Sequence, residues 1–103
     1  MFSFIETRLF SQLVGEYLSD DEYASLQKTL IGNLQAGTLI PGSNGVRKIR
    51  WAVRGRGKRS VVRVIYYAKI REGVIWMLTI FPKNVAENIP AHVLRKIKEE
   101  IDG

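Results

Sequence analysis

The chain has 103 residues, which is enough for one domain spanning residues 1–103 and too few for two. It contains no cysteine and one histidine, so disulfides, thiol catalysis and zinc sites built on cysteine or several histidines are excluded. A composition of 46% hydrophobic and 25% charged residues with net charge +6 predicts a folded core and an anionic partner. No signal peptide or run of about 18 apolar residues is present, so we expect a cytoplasmic protein with no membrane partner.

The first third of the sequence predicts one strand followed by two helices. Phe2–Ile5 is short, aromatic and β-branched, as strands commonly are. A helix is expected over Thr7–Tyr17, with Thr7 as its cap. Ser19 followed by Glu22 forms the capping box that begins a second helix. The apolar faces of these two helices predict a helical hairpin packed on a core.

After the helices the hydrophobic period changes to that of strands. Val46–Val53 alternates, Val61–Ala68 is apolar on both faces, and Val74–Phe81 forms a third run before Pro82. Pro90 then begins a closing helix. The order β-α-α-β-β-β-α predicts an α+β domain. We expect a small twisted, largely antiparallel four-stranded sheet with two N-terminal helices and one C-terminal helix, all packed on one side.

Positive charge is concentrated in one part of the chain. From Tyr23 to Arg71 there is no aspartate or glutamate, whereas eleven lysines and arginines lie there, eight of them between Arg47 and Arg63. A folded domain repels itself along such a stretch, which favours a polyanionic partner. Phosphate-rich nucleic acid is the first candidate.

Three basic side chains on predicted strands are candidates for the site. Lys48 and Arg50 project from one face of their strand, and Arg63 interrupts the otherwise apolar central strand. A buried guanidinium needs a compensating anion, which favours a functional role for Arg63. The alternatives are a solvated outer face for Lys48 and Arg50, and for Arg63 a place near the strand mouth or a pair with Glu16 or Glu87.

Further basic and polar residues could contact a phosphate backbone. The segment that joins the first two long strands is basic and spaced by glycines, which let side chains approach phosphates closely. Solubilising charge is the alternative explanation for it. Lys83, just after the third long strand, could reach the face of Lys48 and Arg63. The predicted RNA-contacting residues are Arg47, Arg54, Arg56, Lys58, Arg59 and Asn84.

Several aromatic side chains raise the question of base stacking. We expect Trp51 and Trp76 to pack in the core, because strands favour aromatic residues for packing.

RNA can be cut without a metal when its own 2′-hydroxyl attacks the adjacent phosphate. That reaction needs a base, stabilisation of the transition-state charge and an acid for the leaving oxygen. Clustered cations stabilise the transition-state charge, and a lysine beside other cations could serve as the base.

Four ordered blocks of the sequence resemble a known family. The chain is similar to the RelE/HigB family of bacterial toxins, most of all to a HigB-type subgroup with the pattern G-x-R-K-I-R, G-R-G-K, R-x-I-Y-Y and L-T-x-x-x-K-N. The matching blocks are residues 40–51 (IPGSNGVRKIRW), 54–59 (RGRGKR), 63–67 (RVIYY) and 78–84 (LTIFPKN). The resemblance implies a RelE-like fold and the toxin of a type II toxin–antitoxin system.

The resemblance also implies an activity and its residues. Such toxins are mRNA endonucleases that work in the ribosomal A site without metal or cofactor, through 2′-hydroxyl attack. The family's basic positions fall on Lys48, Arg50, Arg63 and Lys83. Lys48 is the candidate base, Arg50 and Arg63 are phosphate clamps, and Lys83 adds positive charge. Which group serves as acid stays open, because Ile89 and Pro90 occupy the region where some relatives have tyrosine or histidine.

The expected partners follow from the same resemblance and charge. A cognate antitoxin, with a helix-turn-helix DNA-binding domain, is expected to neutralise the cationic surface, and the ribosome and mRNA are the targets. One alternative function is that of a ParE-type toxin, which shares the fold and poisons DNA gyrase. Another is a nucleic-acid-binding module without catalysis, whose binding would depend on salt.

Overall fold

The computed structural model of the protein describes residues 2–53, 60–82 and 90–102. In these ranges the chain forms strands and helices in the order β-α-α-β-β-β-β-α. The elements are β1 (Ser3–Glu6), α1 (Arg8–Tyr17), α2 (Asp20–Gly32), β2 (Thr38–Leu39), β3 (Arg47–Val53), β4 (Ser60–Lys69), β5 (Val74–Pro82) and α3 (Ala91–Asp102). The predicted α+β class is confirmed. None of the helices in the described ranges is long and apolar enough to cross a membrane.

Among the described residues the sheet has five strands, in the order β1-β5-β4-β3-β2, so the predicted number of four is wrong. The additional strand is β2, where Thr38 pairs with Lys48 and Leu39 with Arg47. A two-residue strand is too short to show an alternating pattern, which explains why the sequence did not reveal it. β1 runs parallel to β5, and the other neighbouring strands are antiparallel.

Helices lie on both faces of the sheet, so the prediction that all of them pack on one side is wrong. α1 and α2 cover one face and form the first core, whereas α3 covers the other face and forms the second core. The buried residues of the first core are Phe10, Leu18, Leu26, Leu30, Ile49, Val53, Val62, Val64, Tyr66, Ile75, Met77 and Ile80. Those of the second core are Val46, Ile65, Leu78, Phe81 and Leu94. Because β4 and β5 are apolar on both faces, each face requires a cover.

Both N-terminal helices begin where the sequence predicts. The Thr7 hydroxyl accepts a hydrogen bond from the Phe10 amide at 3.1 Å and donates to the Leu78 carbonyl at 2.7 Å, so it caps α1 and ties it to β5. The Ser19–Glu22 capping box is confirmed, with bonds of 3.1 and 2.9 Å in the two directions. These bonds satisfy amide groups that a helix N-terminus otherwise leaves unpaired.

A hydrogen-bonded clasp at Gly37 holds the segment between α2 and β2 against the sheet. The Tyr66 hydroxyl donates to the Leu34 carbonyl at 2.8 Å and accepts from the Gly37 amide at 2.9 Å. The Gly37 carbonyl accepts from Arg47 Nη1 at 2.7 Å. A Cβ atom on Gly37 would lie 2.8 Å from Tyr66 Cε1 and 2.9 Å from the Lys48 carbonyl oxygen, so only glycine fits there.

Polar contacts attach α3 to the turn between β2 and β3 and to strand β4. Arg95 Nη1 donates to the Gly42 carbonyl at 3.3 Å. In the last turn, Asp102 accepts from Lys98 Nζ at 2.6 Å and lies 3.4 Å from Lys69 Nζ on β4. Lys98 Nζ also lies 4.7 Å from the centre of the Tyr67 ring, a cation–π contact.

Candidate anion-binding site

Three of the predicted site residues come together on the sheet. The antiparallel register of β3 and β4 places Arg50 directly opposite Arg63, and Lys48 opposite Ile65. Since side chains alternate between faces, Lys48, Arg50 and Arg63 project from the same face, and we call these three residues the cationic face. Directly opposed residues have Cβ atoms about 5 Å apart, so the two arginines are immediate neighbours.

The third strand completes two rows of side chains across the same face. Arg63 is opposite Phe81 on β5, and Ile65 is opposite Thr79. The rows therefore read Arg50–Arg63–Phe81 and Lys48–Ile65–Thr79. Ile65 and Phe81 belong to the second core, so the cationic face adjoins the surface that α3 covers.

The three cations differ in how far they reach into solvent. Arg50 is exposed, Lys48 is partly buried, and Arg63 is 9% exposed. Within the described ranges, Arg63 Nη1 donates to the Val61 carbonyl at 3.2 Å, and no carboxylate there forms an ion pair with Arg63. Glu16, an expected alternative partner, lies on α1 against the opposite face of the sheet.

This arrangement is electrostatically costly for the isolated protein. Like charges directly opposite each other on neighbouring strands are destabilising, and a buried guanidinium loses hydration. An anion placed between Arg50 and Arg63 would offset both costs. Guanidinium groups bind phosphate through paired N–H donors, so a phosphodiester is a fitting ligand by charge and by shape.

Arg47, another predicted RNA-contacting residue, lies apart from the cationic face. It is opposite Tyr66 and shares the face that α1 and α2 cover. Its Nη1 donates to the Gly37 carbonyl at 2.7 Å and reaches the Gln35 carbonyl at 3.5 Å. The guanidinium is therefore engaged in holding the segment before β2.

Six further predicted residues lie outside the described ranges. They are Arg54, Arg56, Lys58, Arg59, Lys83 and Asn84. Glu87, named as a possible partner of Arg63, also lies outside them. The ends of the strands next to these segments are described: Val53 pairs with Ser60, and Val62 pairs with Pro82.

The aromatic side chains near the site are mostly packed in the two cores, as expected. Trp51 packs partly buried against the first core, and Trp76 against the second. Tyr66 is fully buried, and Phe81 is 6% exposed. They support the sheet rather than form an open stacking surface.

Thr79 is a polar residue of this face that the sequence did not single out. It is 8% exposed and lies on the same face as Lys48 and Arg63. Strict alternation from Trp76 would place Thr79 on the other face. A bulge at Leu78 reverses the pattern, because Tyr66 pairs with Met77 and Ile65 with Thr79. No signal in the sequence marked that bulge.

The chemistry available in the described part of the chain is that of a phosphate clamp. No group of three histidine, aspartate or glutamate side chains within residues 2–53, 60–82 and 90–102 is placed to hold a metal ion. The cationic face offers a lysine amine and two guanidinium groups, which can bind a phosphate and stabilise added negative charge. A search of the chain against models of known protein families finds no match.

Proposed function

We propose that the protein is a ribosome-dependent mRNA endonuclease of the RelE/HigB type, the toxin of a type II toxin–antitoxin system. One observation carries the proposal: Arg50 lies directly opposite the buried Arg63, with Lys48 on the same face. Cations that are held together despite their mutual repulsion and the desolvation of Arg63 are suited to bind a phosphodiester. The resemblance of the same residues to the family's basic positions supports the choice of RNA.

The proposed reaction needs no metal. The ribose 2′-oxygen attacks the adjacent phosphorus, the bond to the 5′-oxygen breaks, and the products carry a 2′,3′-cyclic phosphate and a 5′-hydroxyl. Lys48 is the proposed base that accepts the proton of the 2′-hydroxyl. Arg50 and Arg63 stabilise the additional negative charge on the phosphoryl oxygens. Lys83 contributes further positive charge, and the acid that protonates the 5′-oxygen is left unassigned.

The ribosome has a necessary part in this proposal. A lysine and two arginines stabilise charge but are weak proton donors, so a large share of the rate must come from orientation of the mRNA. Binding in the A site would align the 2′-oxygen with the leaving oxygen. The free protein is therefore expected to be nearly inactive on naked RNA.

The proposed partners follow from the function. A cognate antitoxin with acidic or apolar surface and a helix-turn-helix DNA-binding domain would cover the cationic face. The ribosome and mRNA place the protein in the cytoplasm. Co-expression of the neighbouring small reading frame is expected to relieve growth arrest.

The test compares cleavage of one mRNA free in solution and on programmed ribosomes, with 5′ ends mapped. We expect codon-phased cuts on ribosomes and almost none on free RNA. Arg63→Met should abolish the cuts, whereas Arg8→Met, an exposed arginine on α1, should leave them unchanged. Equal cleavage of free RNA would contradict the ribosome-dependent mechanism. Intact mRNA together with DNA damage in induced cells would instead indicate gyrase poisoning.

A further inference from the structure

The tip of the turn between β2 and β3 carries an asparagine followed by a glycine. Asn44 and Gly45 are both exposed, and neither forms a hydrogen bond within the described ranges. The bonds that hold the turn are made by the fully buried Ser43, whose hydroxyl donates to the Ile40 carbonyl at 2.6 Å and accepts from the Val46 amide at 3.1 Å. The turn is therefore closed at its base, below the two tip residues.

The backbone of the tip explains why these two residues occur there. Asn44 has a φ of 63° and Gly45 a φ of 108°. Asparagine is one of the few residues with a side chain that enters the left-handed region readily, and glycine enters it without a steric penalty. The fold therefore requires glycine directly after asparagine.

An asparagine followed by glycine is chemically reactive. The Gly45 amide nitrogen can attack the side-chain carbonyl carbon of Asn44, because glycine has no side chain to obstruct the approach. A new C–N bond forms, the C–N bond of the carboxamide breaks, and the lost amide proton leaves with that nitrogen as ammonia. Water then opens the resulting succinimide ring at either carbonyl. One product has aspartate at position 44, and the other has isoaspartate, in which the backbone runs through the side chain.

We infer that Asn44 is a deamidation site of the folded protein, and that its isoaspartyl product loosens the turn between β2 and β3. The attack requires an unbonded backbone amide and local rotation of the tip. Exposed residues without hydrogen bonds open locally at little cost. The isoaspartyl product adds one backbone carbon between Ser43 and Val46, whose bond of 3.1 Å closes the turn. The inference is independent of the proposed function.

Loosening of this turn would reach the second core. Val46 is fully buried in that core, and Arg95 on α3 donates to the Gly42 carbonyl at 3.3 Å. A Cβ atom on Gly45 would lie 3.9 Å from Lys98 Cε, so the tip lies beside the same helix. The isoaspartyl form is therefore expected to unfold at a lower temperature than the unmodified protein.

The experiment keeps the folded wild-type protein at mildly alkaline pH, below its unfolding temperature, and follows each asparagine by peptide mass mapping. Asn44 should gain about 1 Da, because a hydroxyl group replaces an amino group. Its peptide should also be labelled by a methyltransferase specific for isoaspartate. Asn33 is the internal control, because its carboxamide oxygen accepts from the Gln35 amide at 3.0 Å and leucine follows it. Asn44→Gly, which allows the same φ, should show no labelling.

A second measurement compares thermal unfolding of the isoaspartyl form, the unmodified protein and freshly prepared Asn44→Asp. The last of these carries the new charge without the longer backbone. Only the isoaspartyl form should unfold earlier, by a few degrees.

Four outcomes would overturn the inference. Deamidation of Asn44 in urea-unfolded protein alone would show that the folded turn prevents the attack. A faster mass gain at Asn33, Asn84 or Asn88 would place the reactive residue elsewhere. Equal midpoints for all three forms would show that the added backbone carbon does not loosen the turn. A midpoint lowered as much in Asn44→Asp would assign the effect to charge instead.

Discussion

Among the described side chains, Arg63 has a charge that its surroundings compensate poorly. It is nearly buried, it faces Arg50, and its bond within the described ranges is to the Val61 carbonyl. Such a combination is typical of a residue kept for binding rather than for stability.

The first prediction is that Arg63→Met leaves the folded protein as stable as the wild type or more so. The change removes a like-charge contact with Arg50 and the desolvation of a guanidinium, at the loss of a hydrogen bond of about 1 kcal/mol. Thermal unfolding, measured beside ribosome-dependent cleavage, should show an unchanged or higher midpoint with lost activity. A midpoint lowered by more than a few degrees would mean that Arg63 is held by a stabilising partner.

The second prediction concerns two glycines with opposite surroundings. Gly37→Ala should destabilise by about 1–3 kcal/mol, because its Cβ would meet the Lys48 carbonyl and the Tyr66 ring at less than 3 Å. Gly15→Ala, in α1 with no atom within 4 Å of the added Cβ, should stabilise by about 0.5–1 kcal/mol. Urea unfolding of both variants measures these changes in the free energy of unfolding. An unchanged free energy for Gly37→Ala would show that Tyr66 and Lys48 shift aside at no cost.

At the scale of elements, α3 packs on the sheet through Leu94, and its last turn is joined to β4 by the contact between Asp102 and Lys69. A hydrogen bond from Lys98 lowers the pKa of Asp102, against the opposing effect of desolvation. The same bond raises the pKa of Lys98. Lys69 on β4 makes a second contact with Asp102 and an ion pair of 2.6 Å with Glu72.

The third prediction is the pH dependence of this attachment. Because the pKa of Asp102 is lower in the folded state, its stabilising effect is complete above the ordinary aspartate value of 3.8 and is lost as the pH falls through the lowered value. The pKa of Lys98 is raised in the folded state, so its stabilising effect is complete below the ordinary lysine value of 10.5 and is lost as the pH rises through the raised value. Asp102→Asn should therefore lower the unfolding temperature by at most a few degrees at pH 7 and by less near pH 3.

The control for that measurement is Glu99→Gln, an exposed residue of the same helix that forms no ion pair within the described ranges. It should show no comparable change with pH. A difference between the wild type and Asp102→Asn that is the same at pH 7 and pH 3 would mean that the carboxylate charge does not fasten the helix.

At the scale of the whole molecule, most of the described acidic residues lie apart from the cationic face, whereas Glu99 and Glu100 lie on α3, which covers the same side of the sheet. The acidic residues before Tyr23 lie on β1 and on the two helices that cover the first core. Glu72 and Asp102 lie together at the Lys69 end of β4. The cationic face therefore has no described carboxylate paired to it, which favours attraction of a polyanion over a long range.

The fourth prediction follows from that segregation. The logarithm of the affinity for single-stranded RNA should fall linearly with the logarithm of the salt concentration. Each of Lys48→Met and Arg50→Met should make the slope shallower by about 0.7, the value for one lost phosphate contact on a single strand. Arg8→Met should leave the slope unchanged. Equal slopes in all variants would place the RNA elsewhere on the surface.

The order of the elements other than β2, and the starts of the N-terminal helices, could be read from the sequence because they depend on local chemistry. Thr7 and Ser19 act on amides only a few residues away, and the alternation of Val46–Val53 is a property of neighbouring residues. The prediction that Lys48 and Arg50 share a face needed nothing more. Their meeting with Arg63 also required the pairing register of β3 and β4, which β4, being apolar on both faces, does not reveal by alternation.

By itself, the sequence determined the α+β class, the segregation of charge along the chain and the candidate cationic residues. The tertiary structure decided which face α3 covers, that Arg47 holds the Gly37 clasp, and that the bulge at Leu78 turns Thr79 toward the cations. These features depend on contacts between residues distant in the chain. The local hydrophobic period does not reveal such contacts. A strand that is apolar on both faces can be covered from either side. A bulge of one residue moves every side chain beyond it to the opposite face.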